Sequence, residues 1–201
     1  DTLTGDTTSN TILAGAGDDR IYGSSGGDTL NGGDGIDTVD YSNSDDNVAV
    51  DLTLGTGKGG YAQSDKLSNI ENLIGSAFND TLIGTAGANV INGGAGDDVL
   101  RGGAGADTLI GGDGIDLADY STSSAGVYVN LATGEVHGGD AEGDVLIGIE
   151  NLRGSAFDDV LIGSADTTLL DGGGGNDILD YSLSTAGVNV NIETNVAFGG
   201  Y

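Results

Sequence analysis

A single aliphatic residue recurs at every ninth position over most of the chain, in a background of glycine, aspartate and small polar residues. Glycine supplies the positive φ angles of tight turns, and an isolated apolar residue with polar neighbours fits a short, half-buried strand. The pattern therefore predicts short strands separated by glycine-rich turns, with one inward-pointing side chain per strand. These side chains are Leu3, Ile12, Ile21, Leu30, Val39, Leu82, Ile91, Leu100, Leu109, Ala118, Leu161, Leu170 and Leu179.

A longer period of 79 residues is superimposed on the short one. Asp40-Tyr41-Ser42 recurs as Asp119-Tyr120-Ser121, and Ile70-Glu71-Asn72-Leu73 recurs as Ile149-Glu150-Asn151-Leu152. We therefore divide the chain into blocks of nonapeptides and the connectors between them. The predicted boundaries are block 1 at 1–40, a connector at 41–74, block 2 at 75–119, a connector at 120–153, block 3 at 154–180 and a partial connector at 181–201.

The third block is 18 residues shorter than the second, and this difference indicates how many strands form one turn of the fold. Losing two nonapeptides keeps every later strand on its own side of a two-sided coil, whereas losing one would exchange the sides. The sequence thus predicts an all-β fold: a right-handed parallel β-roll, or β-solenoid, with two nonapeptides per turn, interrupted by connector coils.

The chain is strongly acidic: 32 Asp and Glu residues stand against 5 Lys and Arg residues, for a formal net charge of −27. This charge argues against binding to nucleic acid or anionic lipid. Zero cysteines exclude disulfides and thiolate metal sites, and the absence of an apolar run of ~18 residues predicts no membrane insertion. One core residue in nine is too few to offset about 1–2 kcal/mol of backbone entropy per residue. We therefore expect bound cations to hold the fold together.

The sixth position of each nonapeptide carries the expected ligands. Two nonapeptides per turn place residues 18 apart on the same edge, where neighbouring carboxylates repel unless a hard cation lies between them. Carboxylate and carbonyl oxygens suit calcium, whereas zinc and copper prefer His or Cys. Seven same-edge pairs give an expectation of about seven calcium ions. The predicted metal ligands are Asp1, Asn10, Asp19, Asp28, Asp37, Asp80, Asn89, Asp98, Asp107, Asp116, Asp159 and Asp177.

Four connector carboxylates are weaker candidates. Glu71 and Glu150 are in phase with the sixth position, and are either longer-armed ligands beside Asn89 and Thr168 or ordinary exposed strand residues. Thr168 has no carboxylate, so its edge is expected to bind calcium weakly or not at all. The two lower-ranked candidates, which open equivalent Asp-x-Leu segments, are Asp65 and Asp144.

The nonapeptide reads G-G-x-G-x-D-x-U-x, where U is aliphatic, as in residues 93–101 and 102–110. With this motif the chain resembles the RTX, or haemolysin-type calcium-binding, family of bacterial secreted proteins. The resemblance implies ligands at the sixth position, export by a type I secretion machine, and folding outside the cell on contact with calcium. The connectors resemble spacers in the long RTX arrays of large bacterial surface and exported proteins.

Two functions remain open. One is a non-catalytic, calcium-binding structural module of an extracellular or cell-surface protein of the adhesin, surface-layer or matrix type. The other is the C-terminal appendage of a secreted protease, lipase or alginate epimerase. The long super-repeat favours the first, for which self-association or contact with cell-surface polysaccharide are the partner classes to consider. Asp1 falls within a repeat, so we expect the chain to be part of a longer protein.

Three features mimic catalytic or nucleotide-binding motifs. Residues 23–27 spell G-x-S-x-G, which we interpret as a degenerate repeat turn because no strand-turn-helix pattern surrounds it. Residues 55–60 spell G-x-G-x-x-G without a following helix, and we interpret them as a flexible loop. His137, the single histidine, is predicted to be a solvated loop residue. We therefore predict no catalytic residue.

Overall fold

The computed structural model describes residues 1–167, 169–185 and 196–199, the last of these as backbone only. This part of the chain consists of short strands and two 3₁₀ turns, Gly60–Ala62 and Gly139–Ala141, and it contains no α-helix. Within the same residues, no helix has the length and apolar character needed to cross a membrane. The predicted all-β class is confirmed.

The strands form three sheets. In spatial order, the first sheet contains β1 (Thr2–Thr4), β3 (Arg20–Tyr22), β5 (Thr38–Asp40), β9 (Asn72–Ile74), β11 (Val90–Ala95), β13 (Thr108–Asp113) and β17 (Val145–Ile147). The second contains β2 (Thr11–Ala16), β4 (Thr29–Asp34), β8 (Lys66–Ser68), β7 (Thr56–Lys58), β6 (Ala49–Asp51), β10 (Thr81–Ile83), β12 (Val99–Arg101), β14 (Leu117–Asp119), β18 (Asn151–Arg153) and β20 (Leu170–Asp171). The third contains β16 (Glu135–His137), β15 (Tyr128–Asn130), β19 (Val160–Ile162), β21 (Ile178–Tyr181) and β22 (Val196–Gly199).

Within the repeat blocks, consecutive strands alternate between two facing sheets. Each strand pairs in parallel with the strand two nonapeptides later, so that Leu82 lies beside Leu100 in the second sheet and Ile91 beside Leu109 in the first. The register is 18 residues at each of these steps, as the shortened third block predicts. The structure confirms the parallel β-roll.

The aliphatic residues at the eighth position form the core. Two columns of these side chains, one on each sheet, face each other across the roll. Leu3 and Ile12, in the first turn, are partly buried because they have a neighbour on one side only. The buried members are Ile21, Leu30, Val39, Leu82, Ile91, Leu100, Leu109, Ala118, Leu161, Leu170 and Leu179.

The connectors contain strands of their own and continue the roll. In the first connector, β9 lies between β5 and β11 in the first sheet, and β8 stacks in parallel on β4 in the second. Strands β6 and β7 form an antiparallel hairpin that occupies the second sheet between β8 and β10. The connectors also add buried side chains to the core, among them Val50, Leu67, Leu73, Val129 and Leu152. The hydrophobic core is therefore larger than the nonapeptides alone suggest.

Two sequence predictions about the connectors are wrong. Thr56–Lys58, predicted to lie in a flexible loop, forms β7. His137, predicted to be a loop residue, lies on β16, where its half-exposed ring stacks on Tyr128 of β15 with ring centroids 4.4 Å apart. Both segments belong to hairpins, whose glycine-rich sequences hide the strand pattern.

The hairpins of the two connectors lie on opposite sides of the roll. The hairpin β6–β7 belongs to the second sheet, whereas β15–β16 belongs to the third, whose strands alternate along the chain with those of the second sheet. Five nonapeptides, an odd number, separate the two connectors. The first connector therefore follows a strand of the first sheet, β5, and the second follows a strand of the second sheet, β14.

Candidate metal centres

Glycine-rich turns form the two edges of the roll and allow its turns to stack closely. Gly112 has φ of 117°, and a Cβ atom built on it would lie 1.9 Å from the carbonyl oxygen of Gly94 in the preceding turn. Gly33 has φ of 109°, and a Cβ atom built on it would likewise lie 1.9 Å from the carbonyl oxygen of Gly15. Only glycine fits these positions. Their lack of side chains brings the backbone carbonyls of successive turns close to the carboxylates at the sixth position.

The residues at the sixth position stack 18 residues apart, as predicted. The backbone N–H of Asp80 donates to Oδ1 of Asp98 at 2.7 Å, and the N–H of Asp98 donates to Oδ1 of Asp116 at 2.8 Å. Asn89 donates in the same way to Asp107, at 2.8 Å. The remaining pairs with this hydrogen bond or N-terminal contact are Asp1–Asp19, Asp19–Asp37, Asn10–Asp28 and Asp159–Asp177. All seven predicted pairs are therefore neighbours, six of them joined through one carboxylate oxygen and a backbone N–H and Asp1–Asp19 through the N-terminal amino group.

The second carboxylate oxygen of most of these residues is buried without a hydrogen-bond partner. Among the described residues, every buried side-chain oxygen that lacks a partner is an Oδ2 atom at the sixth position. A buried ionised oxygen without a partner is costly, so such a row is typical of oxygens that bind a cation or a proton. The six atoms are Oδ2 of Asp19, Asp37, Asp98, Asp107, Asp116 and Asp177.

These oxygens face backbone carbonyls of the next turn. A point at the Cβ position of Gly93 lies 2.2 Å from Oδ2 of Asp98 and 2.7 Å from the carbonyl oxygen of Gly111. The corresponding point at Gly75 lies 2.4 Å from Oδ2 of Asp80, which also accepts from the Ser76 N–H, and 2.3 Å from the carbonyl oxygen of Gly93. At these steps a carboxylate oxygen and a carbonyl oxygen from the next turn meet in the space that the glycine leaves.

This donor set fits calcium. The converging atoms are all oxygens, which hard cations prefer, and carbonyl oxygens are common calcium ligands. No group of three or more His, Cys, Asp or Glu side chains suited to a metal occurs in the described ranges, so the backbone must supply a large share of the ligands. That the predicted residues bind calcium stays a prediction, which this geometry favours.

Positive side chains neutralise a different set of carboxylates. Arg20 forms an ion pair with Asp40, Arg101 with Asp119, and Arg153 with Asp171, the last at 3.0 Å. All three aspartates are at the ninth position of the repeat, one residue after the core residue at the eighth position. The arginines therefore leave the sixth-position charges to be compensated in another way.

Burial perturbs the carboxylates at the sixth position. It raises the pKa of Asp98 to about 7, and repulsion from Asp80 and Asp116 adds to the effect. Burial likewise raises the pKa of Asp107 to about 7, with a contribution from Asp144. The pKa values of Asp80, Asp116 and Asp177 are also raised, in each case mainly by burial. A cation at these oxygens would lower the pKa values again by stabilising the ionised form.

Some predicted ligands already have protein partners for the atoms that would bind a metal. Oδ2 of Asp28 accepts a hydrogen bond from the Ser24 hydroxyl group at 2.8 Å, and Oδ2 of Asp159 accepts one from the Ser155 N–H at 2.7 Å. Oδ1 of Asn89 accepts from the Thr85 N–H at 2.7 Å, while its amide nitrogen donates to the carbonyl oxygen of Glu71. Oδ2 of Asp80 and Oδ1 of Asn10 likewise accept hydrogen bonds from backbone N–H groups. Of the predicted set, these five residues are the weaker candidates.

Asp65 and Asp144, ranked low from the sequence, lie in the same columns as the sixth-position residues. Asp65 accepts from the N–H of Asp28 at 2.7 Å, and Asp144 accepts from the N–H of Asp107 at 2.8 Å. Their second oxygens accept hydrogen bonds from the hydroxyl groups of two tyrosines. The sequence signal for this arrangement is the tyrosine of each Asp-Tyr-Ser segment, 24 residues before the aspartate. The tyrosines are Tyr41 and Tyr120.

The connector glutamates lie over Asp37 and Asp116. The side chain of Glu71 accepts from the N–H of Asp37, whereas only its backbone carbonyl contacts Asn89. Glu71 thus lies on the expected edge beside Asn89, but its carboxylate bonds to Asp37 in the preceding turn. Asp98 and Asp116 accept from the preceding turn in the same way. Whether Glu71 and Glu150 bind a metal stays a prediction. The expectation for Thr168 lies outside the described residues.

Comparison with protein families gives four matches to one model, that of the RTX calcium-binding nonapeptide repeat. They cover residues 4–39, 68–98, 83–118 and 144–180, which together make up more than half of the chain. Among curated proteins, no significant match to this chain is found. The matches extend into both connectors, including the segments that contain Glu71, Asp144 and Glu150.

Proposed function

Since the chain belongs to the RTX calcium-binding nonapeptide repeat family, we propose that it is a non-catalytic, calcium-dependent structural module of a bacterial protein exported by a type I secretion system. RTX repeats bind calcium, and proteins that contain them are typically secreted. Within this class we assign the chain to the adhesin, surface-layer or matrix type, located outside the cell or on its surface. The 79-residue super-repeat, which suits an extended array, supports this choice.

The observation that carries the proposal is the row of buried, unpaired Oδ2 atoms at the sixth position. A chain with a net charge of −27 repels itself when it compacts. Cations bound between turns would reduce that repulsion and would coordinate the unpaired oxygens. Because the unfolded chain has no preformed site, the free energy of binding would also be free energy of folding.

The proposal links folding to location. Extracellular calcium modules bind at roughly 10⁻⁴–10⁻³ M. Where calcium is scarce the chain would remain unfolded, and it would fold after export into a medium with millimolar calcium. As organisation we propose calcium-binding blocks at 1–40, 75–119 and 154–180, joined by connectors at 41–74 and 120–153 and followed by a partial connector at 181–201. Seven steps between sixth-position residues give about seven ions.

A calcium titration followed by far-ultraviolet circular dichroism tests the proposal. The metal-free chain is expected to give the spectrum of a disordered chain, and millimolar calcium to produce a cooperative β signal. Magnesium at the same concentration is the control, because it keeps its water ligands and requires a tighter octahedral site. A β spectrum that persists unchanged with a chelator present contradicts a calcium-dependent module.

A further inference from the structure

The two connector glutamates reproduce the contact that links nonapeptides. The backbone N–H of Asp37 donates to Oε2 of Glu71 at 2.8 Å, and the N–H of Asp116 donates to Oε2 of Glu150 at 2.9 Å. In the nonapeptides the same N–H reaches an aspartate 18 residues later, as Asp19 reaches Asp37 at 2.9 Å. The strands at the connector step are stacked like the others, since Val39 of β5 pairs with Leu73 of β9. The glutamates therefore occupy the place of the next sixth-position carboxylate.

The aspartates beneath these glutamates have an unpaired oxygen directed into the step. Asp37 and Asp116 are fully buried, with 0% of their surface exposed, and Oδ2 of each lacks a hydrogen-bond partner. These atoms belong to the same row of oxygens as those between nonapeptides. At both positions the next segment is a connector and not a further nonapeptide. The nonapeptide motif therefore does not specify a partner for these two oxygens.

A backbone carbonyl completes each step. The Cβ position of Gly32 lies 2.3 Å from Oδ2 of Asp37 and 2.2 Å from the carbonyl oxygen of Asn69. That of Gly111 lies 2.4 Å from Oδ2 of Asp116 and 2.0 Å from the carbonyl oxygen of Gly148. In the nonapeptides a glycine carbonyl of the next turn has this role.

The residues that supply these two carbonyls have left-handed backbones. The φ angle is 51° for Asn69 and 60° for Gly148. Asn69 is one of two non-glycine residues with positive φ in the described part of the chain. Such a conformation is disfavoured for residues with a Cβ atom and persists when the surroundings require it. The backbone of the connector is thus bent where its carbonyl oxygen meets the unpaired carboxylate.

On the opposite edge of the first connector the carboxylate has a different partner. There the second oxygen of Asp65 accepts a hydrogen bond from Tyr41, whose side chain is fully buried. Tyr120 and Asp144 repeat this arrangement in the second connector. In the first connector Oδ2 of Asp28 also has a donor, the Ser24 hydroxyl group, so this edge has no oxygen that requires a cation. In the second connector the Tyr120 hydroxyl group satisfies Asp144, while Oδ2 of Asp107 beneath it has no hydrogen-bond partner. The first connector therefore has one edge with an unsatisfied carboxylate and one edge without.

We propose that the steps Asp37–Glu71 and Asp116–Glu150 are two further calcium sites, which fall outside the nonapeptide motif and attach each repeat block to the connector that follows it. The ligands from this chain are the aspartate Oδ2, the glutamate carboxylate and the carbonyl oxygen of Asn69 or Gly148. A hard dication suits this all-oxygen set of two carboxylates and a carbonyl. The proposal rests on the calcium-binding function proposed above.

The first test is a crystal structure of the full chain grown with calcium, with anomalous difference maps to locate the ions. Peaks are expected between Asp37 and Glu71 and between Asp116 and Glu150, in addition to peaks between nonapeptides. Peaks between nonapeptides without any at the two glutamate steps would overturn the inference and leave the proposed function intact. A folded chain without any calcium peak would overturn both.

The second test counts ions by native mass spectrometry of the full chain in calcium. The double variant Glu71→Gln and Glu150→Gln keeps an oxygen that accepts the aspartate N–H but loses the charge. It is expected to bind two calcium ions fewer than the wild type. The control is Asp65→Asn, at the step where Ser24 and Tyr41 already donate to the second oxygens of Asp28 and Asp65, and this variant is expected to keep the wild-type number. An unchanged ion count in the glutamate variant, or an equal loss in the control, contradicts the inference.

Discussion

The hydroxyl group of Tyr41 donates a hydrogen bond of 2.7 Å to Oδ2 of Asp65, which lies 24 residues further along the chain. Burial raises the pKa of Asp65 to about 6, so at neutral pH this carboxylate is ionised inside the protein and depends on its donors. The same relationship recurs between Tyr120 and Asp144 at 2.9 Å. The connectors thus use a tyrosine where the repeat blocks leave a carboxylate oxygen unpaired.

Removing this hydroxyl group tests its contribution. Tyr41→Phe is expected to lower the free energy of unfolding in saturating calcium by about 1–3 kcal/mol, because the buried Asp65 oxygen loses its partner. Thermal unfolding at neutral pH measures the change. Tyr61→Phe, in the same connector, is the matched control and is expected to unfold close to the wild type. Equal effects of the two substitutions would show that the hydrogen bond contributes little.

The contribution of an aspartate to calcium-dependent folding depends on its position in the row of carboxylates. Asp98 links Asp80 to Asp116 and has an unpaired Oδ2, whereas Oδ2 of Asp28 is already bonded to Ser24. Asp98→Ala is therefore expected to raise the calcium concentration at the folding midpoint more than Asp28→Ala does, by about tenfold, or about 1.4 kcal/mol. Calcium titrations by circular dichroism give both midpoints. Equal midpoints would contradict the assignment of ligands by unpaired oxygens.

Because one turn of the roll contains two nonapeptide strands, the effect of a deletion on stability depends on its length. Deleting 93–110 joins Asn92 to Gly111 and keeps each later strand in its sheet, because Asn92 and Ile110 are register partners. A calcium-binding roll shorter by one turn is expected, with a small loss of stability. Deleting 93–101 alone shifts every later strand to the opposite sheet and is expected to destabilise the chain much more. Thermal unfolding of both variants in excess calcium decides the matter, and similar melting would contradict the prediction.

Close stacking of the turns explains why some glycines cannot be replaced. Gly112→Ala is expected to destabilise the calcium-bound chain by more than Gly15→Ala. Both residues have strongly positive φ, 117° and 112°, but a Cβ atom on Gly112 would meet the Gly94 carbonyl oxygen at 1.9 Å, whereas nothing lies within 4 Å of one on Gly15. The difference in melting temperature isolates the stacking, since the backbone penalty of about 1–3 kcal/mol is shared. Equal losses would show that turn conformation alone restricts these sites.

The metal-free chain is expected to become more structured on mild acidification. Burial raises the pKa values of Asp98 and Asp107 to about 7, so the folded state binds more protons than the unfolded state between about pH 4 and 7. Stability therefore rises as the pH falls from 7 towards 5 and is lost as the pH rises through 7. Circular dichroism with a chelator, at pH 7.5 and pH 5, measures this change.

Calcium reverses the sign of this pH dependence. Protons compete with the cation for the same oxygens, so the calcium midpoint should shift to higher concentration on acidification. The double variant Asp98→Asn with Asp107→Asn is the control for the metal-free experiment, because it removes the two groups and should show a weaker pH dependence. A β signal that falls on acidification without calcium would contradict the raised pKa values.

The repeat blocks could be predicted closely from the sequence because one short period determines both their core and their edges. The eighth-position residues after the first turn are buried, and the seven pairs at the sixth position are neighbours. The sequence could not reveal that the link between such a pair is a backbone N–H to one carboxylate oxygen. That arrangement depends on how the glycine turns orient the backbone, which no residue pattern states.

The connectors could be predicted less well because their contacts follow other spacings. Glu71 reaches Asp37 across 34 residues, and Tyr41 reaches Asp65 across 24, so neither contact follows from an 18-residue step. Both spacings depend on the inserted hairpin, whose glycine-rich sequence, such as Gly55–Gly60, is typical of a loop. Repetition of these segments at a distance of 79 residues marked them as structured, without indicating their partners.

The opposite placement of the hairpins β6–β7 and β15–β16 has a consequence for how such a protein lengthens. A duplication of the 79-residue unit adds an odd number of nonapeptides, so each new unit is rotated by about half a turn relative to the last. The hairpins would then face alternately in opposite directions along the array. Every second unit would present its hairpin on the same side of the roll. Partners that bind the hairpins would therefore form two rows, one on each side.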